Sequence, residues 1–473
     1  MEIKKLALTC ALAACAFPEW ALATNGMNME GYGATALAMG GASLAYDNGA
    51  AAMMNNPATL AMMNEGNLLD IAFGGIGPDV HASASGASSR SSADSFVGPA
   101  AGWMRKKDRF AFGVGMYGQG GMGTEYGSDS LLSNPAGQVP SPGLVNRSEV
   151  SVGRVIFPVA YNVSPNLNIG GSLDYVWAGM DMQMAVRGGD FLQMAGGTSP
   201  MATASGGMIN SFVANVMPAL DPANPVNWGY FDFSNKNDYT GQAVGTGYAG
   251  KIGFTCKLDS KTTIGATYHS KTRLNDLEAQ DAAVSFNVNF NGGPANQLIP
   301  VAGKMTVKDF QWPETYGMGI SYEASDRWML AADYKRINWA GAMKDFKMVF
   351  TPSGNTGMAS AFNGLPMNVT FYQDWRDQDV VMLGAAYRLT DALTLRAGVN
   401  KANNPVPDTY LNALFPATIK NHYTLGGGYA LNKSAHLEFA ASYAPKVTAT
   451  SGVSGVTSSH EQVNWQLVYS YHF

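Results

Sequence analysis

The feature that most limits the fold is a strict alternation of apolar and polar residues over long stretches. In residues 463–473, Val, Trp, Leu, Tyr, Tyr and Phe share one face, opposite Asn, Gln, Ser and His. Residues 167–177, 393–400 and 423–429 repeat the pattern. Because side chains of a β-strand point alternately to its two faces, this period predicts strands with one apolar and one polar face. We therefore expect an all-β protein.

The lengths of the connections separate a barrel from a sandwich. Six short polar turns lie near residues 107, 165, 259, 325, 390 and 433, and much longer connections alternate with them. Short turns at one end and long loops at the other are typical of outer-membrane barrels. The count predicts a transmembrane antiparallel β-barrel of 14 strands. The long connections fall at about 74–95, 119–148, 180–240, 273–305, 340–368, 401–420 and 447–460.

Aromatic residues cluster near the short turns and, where alternation is clear, lie on the apolar face. A belt of aromatic side chains at one level is expected at a membrane interface, and a soluble β-sandwich has no reason to form one. A closed barrel also leaves no unpaired backbone edge in lipid. The residues of this predicted girdle are Tyr161, Phe254, Tyr322, Tyr387, Tyr429 and Tyr471.

Composition excludes several other classes. Charged residues make up 14% of the chain and glycine 55 of its 473 residues, which is unusual for a soluble enzyme. A mean hydropathy of −0.06 excludes a bundle of transmembrane helices. The net charge of −5 argues against a nucleic-acid surface, so no nucleic-acid partner is expected.

Residues 1–23 have the features of a secretory signal peptide that is removed. Lys4 and Lys5 precede a short apolar stretch, and an Ala-Leu-Ala cleavage site ends at Ala23. A competing interpretation is a lipoprotein signal with Cys15 lipidated. Cleavage after Ala23 leaves Cys256 as the single cysteine, which excludes an intramolecular disulfide or a cysteine metal site.

Residues 24–65 do not alternate and are rich in Gly, Ala, Met and Asn. About forty such residues could pack only inside an enclosure, and the lumen of a barrel provides one. We expect 24–65 to form an N-terminal lumen hatch, and 66–473 to form the barrel, with its largest extracellular loop at about 180–240.

The sequence contains no catalytic or cofactor motif in the structural setting that such a motif requires. Three G-x-G-x-x-G matches begin at Gly113, Gly118 and Gly245, but none has the strand–turn–helix setting of a dinucleotide site. The sequence contains neither H-E-x-x-H nor G-x-S-x-G. We expect no enzyme activity, no cofactor and no metal.

Charged residues on the polar face of the strands would point into the lumen. They could pair with one another across the lumen, or one or two cations could hold a carboxylate headgroup. Lys251, Lys335 and Arg396 are the candidate substrate-binding cations. The full set is Asp174, Lys251, His269, Asp333, Lys335, Arg388, Arg396 and Glu438.

The largest loop contains apolar residues at helical spacing between Ile209 and Leu220. Such residues could pack over the mouth of the barrel, or form a landing site for an apolar ligand. Phe212 and Met217 are the candidate ligand contacts in this loop.

Several stretches resemble the FadL/TodX family of outer-membrane transporters for long-chain fatty acids and aromatic hydrocarbons. Residues 31–42 and 55–61 resemble the hatch of that family. Its Asn-Pro-Ala signature falls on Asn56, Pro57 and Ala58, with Thr59 in place of the usual glycine. The stretches 312–317, 333–339, 395–398 and 405–408 also resemble the family, so the resemblance covers essentially the whole mature chain.

The resemblance implies a plugged barrel in the Gram-negative outer membrane. Ligand would be captured at an outer groove, passed to a lumen pocket, and released sideways through a kinked strand when the hatch rearranges. We expect passive transport of hydrophobic compounds, with long-chain fatty acids as the substrate. The alternatives are an aromatic-hydrocarbon channel, a general diffusion porin and an adhesive barrel.

Three further expectations concern partners and assembly. We expect a monomer that contacts outer-membrane lipid and lipopolysaccharide. The barrel-assembly machinery should recognise the C-terminal Phe473. Asn56, Pro57 and Ala58 are hypothesised to shape the part of the hatch that moves.

Overall fold

The computed structural model describes residues 24–237 and 240–473. The predicted signal peptide and the alternative lipidation site at Cys15 lie outside the described residues. The described residues contain these twenty-two strands: β1 (Gly66–Ala84), β2 (Ala87–Arg90), β3 (Phe96–Lys107), β4 (Phe110–Tyr126), β5 (Asn146–Ser164), β6 (Leu167–Arg187), β7 (Ala202–Ser205), β8 (Val226–Phe233), β9 (Ala243–Lys257), β10 (Thr262–His269), β11 (Arg273–Leu274), β12 (Leu277–Val288), β13 (Gln297–Lys308), β14 (Thr315–Ser325), β15 (Trp328–Ile337), β16 (Asp345–Pro352), β17 (Met367–Tyr372), β18 (Gln378–Arg388), β19 (Leu393–Ala402), β20 (Asn421–Ala430), β21 (Ala435–Thr450) and β22 (Thr457–His472).

Helical structure is confined to short segments. None of the helices in the described part of the chain is long and apolar enough to cross a membrane. The α-helices are α1 (Ala34–Ala38), α2 (Ala52–Asn55), α3 (Gly188–Ala195) and α4 (Gly207–Ser211), α4 continues as a π-helix over Phe212–Val216, and 3-10 helices cover Gly49–Ala51, Pro57–Met62, Met217–Ala219, Trp339–Gly341, Gly357–Phe362 and Asp408–Tyr410.

A closed antiparallel ring forms the body of the protein. Strand β1 pairs with β22 at one edge and with β3 at the other, so the sheet has no free edge there. Within the described residues the ring runs through fourteen strands: β1, β3, β4, β5, β6, β9, β10, β14, β15, β18, β19, β20, β21 and β22. The predicted all-β barrel is confirmed.

The eight remaining strands, β2, β7, β8, β11, β12, β13, β16 and β17, come from the long connections and were not predicted. Strand β6 extends beyond the ring, where its upper end pairs with β8. From there a second sheet continues through β12, β13, β16, β17 and β7. The long loops therefore build an ordered layer above the barrel.

Burial in the ring is inverted relative to a soluble protein. On β22, Leu467 is 43% exposed whereas its neighbours Asn464 and Gln466 are buried. On β6, Leu173 is 61% exposed whereas Asp174 is fully buried. Apolar side chains can face outward at no cost only where the surroundings are lipid. The alternation thus marks a membrane-spanning wall with a polar lumen.

Aromatic residues gather at the end of the ring that carries the short turns. Tyr429 and Tyr471 are exposed on the outer surface, whereas Tyr161 and Tyr387 are half-buried. Phe110 contacts Tyr161 at a ring-centre distance of 4.7 Å, and Trp328 contacts Tyr387 at the same distance. This is the arrangement expected of an interfacial girdle.

The hatch, residues 24–65, lies inside the ring. Its backbone accepts or donates hydrogen bonds with inward-facing side chains from opposite parts of the wall. Gly40 N donates to Thr424 Oγ1 (2.9 Å), and Lys106 Nζ donates to Ala61 O (2.7 Å). At Gly398 the hatch approaches so closely that an added Cβ would overlap the backbone of Gly40.

Candidate functional site

An internal cavity of about 490 Å³ lies between the hatch and one side of the barrel wall. Its lining includes hatch residues and inward-facing residues of β1, β3, β4, β5, β21 and β22. On the β3–β5 side the lining is mostly apolar, with Ala100, Met122, Val150 and Val152, although Glu149 also lines it. This volume and lining suit a small apolar ligand.

The barrel wall is interrupted beside this cavity. The ladder between β3 and β4 runs from Lys107–Phe110 to Ala101–Met116 and ends there. Beyond it, residues 96–100 of β3 pair with β1, and residues 117–126 of β4 pair with β5. Among the described residues no ladder joins β3 to β4 over this stretch. We call residues 96–100 and 117–121 the β3–β4 break.

The residues of the β3–β4 break explain why the ladder fails. Pro99 has no backbone N–H to donate to a ladder. A bulge in the pairing of β4 with β5 falls between Gly118 and Gly120 and bends β4. A Cβ added at Gly98 would meet no heavy atom within 4 Å, so open space adjoins the strand there. Gly98 and Pro99 also line the cavity, which therefore reaches the break.

The hatch takes the place of β3 beside β4 at this point. Asn28 forms an antiparallel bridge with Gly120, and Gly121 N donates to Met27 O at 3.0 Å. The bulged residue Gln119 turns inward, where its Nε2 donates to Asn28 Oδ1 at 2.7 Å. One segment of the hatch therefore borders both the cavity and the break.

Asn56 holds the Asn-Pro-Ala segment against β9 of the wall. Its Nδ2 donates to Leu44 O (2.8 Å) and Phe254 O (3.1 Å), and its Oδ1 accepts from Ala58 N (3.1 Å). Pro57 then begins the 3-10 helix with a φ that needs no adjustment. The segment fits because Gly253 has no Cβ, which would overlap Asn56 Oδ1.

A second anchor of the hatch is a wall carboxylate. Asp333 Oδ2 accepts from Ser43 N (2.6 Å) and Leu44 N (3.0 Å). A third is Glu30 of the hatch itself, whose Oε1 accepts from Asn464 Nδ2 (2.9 Å) and Ser442 Oγ. Burial raises the pKa of the Glu30 carboxyl, because no water reaches its charged form.

The three candidate cations do not converge on one site. Lys251 and Arg154 both pair with Asp174, the latter at 2.8 Å, and all three side chains are buried. Arg396 pairs with Glu438 and lines the cavity. Two of the three candidate cations are therefore paired, but with side chains of adjacent or next-but-one strands rather than across the lumen.

Lys335 differs from the other two cations. It is 8% exposed, and among the described residues it has no hydrogen-bond or ion-pair partner. It does not line the cavity described above. The other residues predicted to face the lumen differ in exposure. Asp333 is buried and His269 is half-buried, whereas Arg388 is exposed at the end of β18.

The candidate loop residues lie in the core of the extracellular layer. Phe212 is buried and packs against Phe191 and Phe286, at ring-centre distances of 5.8 and 5.1 Å. Met217 is half-buried against the same core. The chain is helical from Gly207 to Ala219, as the spacing predicts. Neither Phe212 nor Met217 is among the described residues that line the cavity.

Carboxylates outnumber cations around the cavity. Asp47, Asp70, Glu149 and Glu438 line it, against the single guanidinium of Arg396. Sequence reasoning missed Asp70 and the β3–β4 break. The Gly98-Pro99 pair and the glycines of β4 were the available signal for the break, since both residue types weaken a ladder.

Comparison with known proteins identifies the family. Residues 11–467 match the family model described as outer membrane protein transport protein (OMPP1/FadL/TodX). The chain belongs to this family. It is therefore an outer-membrane transport protein for hydrophobic compounds, and its wall is the transmembrane part.

Solved structures of the FadL/TodX family align over nearly the whole chain. The toluene transporter TodX of P. putida is 29% identical over 94% of this chain and 99% of its own, with a TM-score of 0.79. The toluene transporter TbuX of Ralstonia pickettii is 30% identical over the same shares, with a TM-score of 0.75. A FadL homologue of Pseudomonas aeruginosa is 15% identical over 95% of this chain and all of its own, with a TM-score of 0.69, which shows the fold alone.

One curated relative is also similar over a short region. An uncharacterized protein of Chlorobium limicola, from the 5′ region of its phosphoenolpyruvate carboxykinase gene, is 53% identical over 75 residues. The match covers 15% of this chain and 36% of that relative.

Proposed function

We propose that this protein lets small neutral apolar compounds, monoaromatic hydrocarbons above all, pass through the outer membrane and leave sideways into the bilayer. The observation that carries this proposal is the β3–β4 break beside a cavity whose β3–β5 side is mostly apolar. A ligand in the cavity would face Gly98 and Pro99 rather than a continuous wall. The similarity to the toluene transporters TodX and TbuX supports the choice of ligand.

The energetics need no external source. Burying apolar area is worth roughly 0.8 kcal/mol per CH₂ group, so an apolar cavity collects ligand from dilute solution. Transfer from the cavity to lipid exchanges one apolar environment for another and costs little. A route through the periplasm would instead return the whole ligand to water. No step of passive flow into the bilayer therefore requires an external source of free energy.

The charges around the cavity favour a neutral ligand over a carboxylate. Arg396 is the one cation in the described lining and is paired with Glu438. A carboxylate headgroup would lie close to Asp47, Asp70 and Glu438 without a free cation to offset the repulsion. Hydrocarbons avoid this cost.

Long-chain fatty acids are the second candidate, and Lys335 is the observation that favours them. A buried ammonium without a hydrogen-bond or ion-pair partner is costly even with the carboxylates of Asp333 and Glu30 nearby, and a carboxylate headgroup would relieve that cost. Lys251 and Arg396 could serve only if their present partners gave way. In this alternative the headgroup would lie at Lys335 and the chain would extend elsewhere in the lumen.

The hatch would act as the gate, with Asn56, Pro57 and Ala58 shaping the part that moves. Phe212 and Met217 would contribute to capture at the outer layer. The protein would be a monomer in contact with outer-membrane lipid and lipopolysaccharide. Phe473, which is 60% exposed and whose carbonyl accepts from Asn67 N at 2.8 Å, would be read by the assembly machinery.

The test is uptake of labelled toluene and of labelled oleate by Gram-negative cells that lack their own fatty-acid transporter. Cells expressing the chain should take up toluene faster than cells with an empty vector. Gly98→Phe should lower this rate several-fold, because the ring would fill the open space beside the break. Gly341→Phe is the matched control, since its Cβ also meets open space but lies in an outer loop.

Each outcome assigns a function. Saturable uptake of oleate, with toluene uptake no faster than in empty-vector cells, would favour the fatty-acid candidate. High ion conductance in planar bilayers would favour a general diffusion porin. Toluene uptake that Gly98→Phe leaves unchanged, at equal surface expression, would refute lateral release at the β3–β4 break.

A further inference from the structure

One wall of the cavity holds a carboxylate oxygen that the protein leaves without a partner. Asp70 faces inward from β1, is 6% exposed and lines the cavity. Its Oδ2 accepts from Ala50 N of the hatch at 2.8 Å. Its Oδ1 is buried and has no hydrogen-bond partner among the described residues.

The surroundings of Asp70 combine this acceptor with apolar surface. On the same inner face, Ala72 and Val468 come next toward the outer side, and both line the cavity. Ser470 lies opposite Asp70 across the β1–β22 ladder. A buried acceptor without a donor costs roughly 1–3 kcal/mol. The hydroxyl of Ser470 lies within reach of this carboxylate, but no donor meets Oδ1 at hydrogen-bond distance among the described residues, so a donor held in the cavity would satisfy it.

We propose that the cavity selects monoaromatic compounds that carry one hydroxyl group, such as alkylphenols, with the ligand O–H donating to Asp70 Oδ1. The ring and alkyl group lie against the apolar wall of β3 to β5. A hydrocarbon of the same size leaves Oδ1 unpaired, and a carboxylate meets the repulsion described above. This inference refines the proposed function by naming the ligand class, and it rests on the same cavity.

Three ligands of matched shape isolate the donor. 4-Propylphenol has an O–H, 4-propylanisole has the oxygen without the proton, and propylbenzene lacks the oxygen. Binding to the purified full-length mature protein in detergent is measured by equilibrium dialysis, with detergent alone as the blank. We expect the phenol to bind about tenfold more tightly than the anisole, the value of one hydrogen bond to a charged group. Equal affinity would mean that water satisfies Oδ1, and would overturn the proposal.

Two variants assign the effect to one atom. In Asp70→Asn the amide oxygen keeps the bond from Ala50 N, so the NH₂ group takes the place of Oδ1. The preference should then vanish or reverse in favour of the anisole. Asp333→Asn is the matched control, because Asp333 also accepts hatch N–H groups and also has an unpartnered Oδ1, but does not line the cavity. It should keep the preference for the phenol.

The experiment separates this inference from the proposed function. Phenol preference in dialysis without toluene uptake in cells would refute the transport proposal and support the site. Toluene uptake without a preference for the phenol would support the transport proposal and refute the hydroxyl site at Asp70. If Asp70→Asn does not fold, as judged by circular dichroism, the comparison of phenol with anisole on the unaltered protein still decides the case.

Discussion

Replacing Asn56 with aspartate tests the attachment of the hatch to the wall. Aspartate has nearly the same shape, and its oxygen can still accept from Ala58 N. It cannot donate to Leu44 O or Phe254 O, which now face a second oxygen. The change therefore removes two hydrogen bonds from a fully buried site without creating a cavity.

The magnitude follows from those two bonds. A net hydrogen bond is worth about 0.5–1.5 kcal/mol, and a buried carbonyl left without a donor costs about 1–3 kcal/mol. The bond to Phe254 O joins the hatch to the wall, whereas the bond to Leu44 O lies within the hatch and shapes the segment that meets the wall. We expect the seated hatch to lose about 3 kcal/mol, which is roughly a hundredfold in its opening equilibrium.

Amide hydrogen exchange of the purified protein measures this opening directly, since exchange reports local unfolding free energies. Peptides from 40–62 should exchange up to about a hundredfold faster in Asn56→Asp, whereas peptides from β18 to β20 should not change. Asn134→Asp is the control, because Asn134 begins a second Asn-Pro-Ala in an outer loop, where its side chain bonds only to Gln138 among the described residues. Unchanged hatch exchange in a folded Asn56→Asp barrel would refute the role assigned to this residue.

Three further changes test the gate and the lumen. Gly253→Ala should accelerate hatch exchange in the same peptides, because the new Cβ overlaps Asn56 Oδ1; an unchanged rate would show that the wall yields instead. Lys335→Met should reduce any oleate uptake at least tenfold and leave toluene uptake unchanged; equal loss of both would mean that Lys335 is structural. Because burial raises the pKa of Glu30 above its ordinary 4.5, the seated hatch binds a proton more tightly than the released one. Hatch protection should therefore fall as the pH rises from about 4.5, and Glu30→Gln, measured across the same pH range, should lessen that fall.

The barrel could be predicted because lipid and lumen act on alternate residues. Leu467 and Gln466 have opposite surroundings, and each strand carries that contrast in its sequence. The short turns then fix the number of ring strands. The strands of the extracellular layer escaped prediction because they lie within the long connections, which the spacing of the short turns assigns to loops. In β12, for example, Leu277, Val284 and Phe286 are buried whereas Glu278 and Gln280 are exposed, so the alternation is present there as well.

The site was less predictable because it depends on contacts between distant strands. Alternation places Lys251, Lys335 and Arg396 in the lumen equally well. Whether each cation has a partner depends on how strands far apart in sequence align, and only Lys335 lacks one among the described residues. Asp70 lies on the polar face of β1, yet its unpartnered oxygen follows from the position of Ala50 in the hatch.

We expect the hatch to be the part of the lumen that moves while the barrel stays closed. Outside the β3–β4 break, long ladders join the ring strands, whereas separate hydrogen bonds fasten the hatch, such as that to Asp333 and that from Asn56 to Phe254 O, each worth about 1 kcal/mol. Its residues Met27 and Asn28 occupy the edge of β4 that β3 leaves unpaired. We therefore expect release at the Asn56 end to loosen the bridge at Gly120 as well, since one short chain links both contacts. A ligand that displaces the hatch would then widen the β3–β4 break through which it leaves.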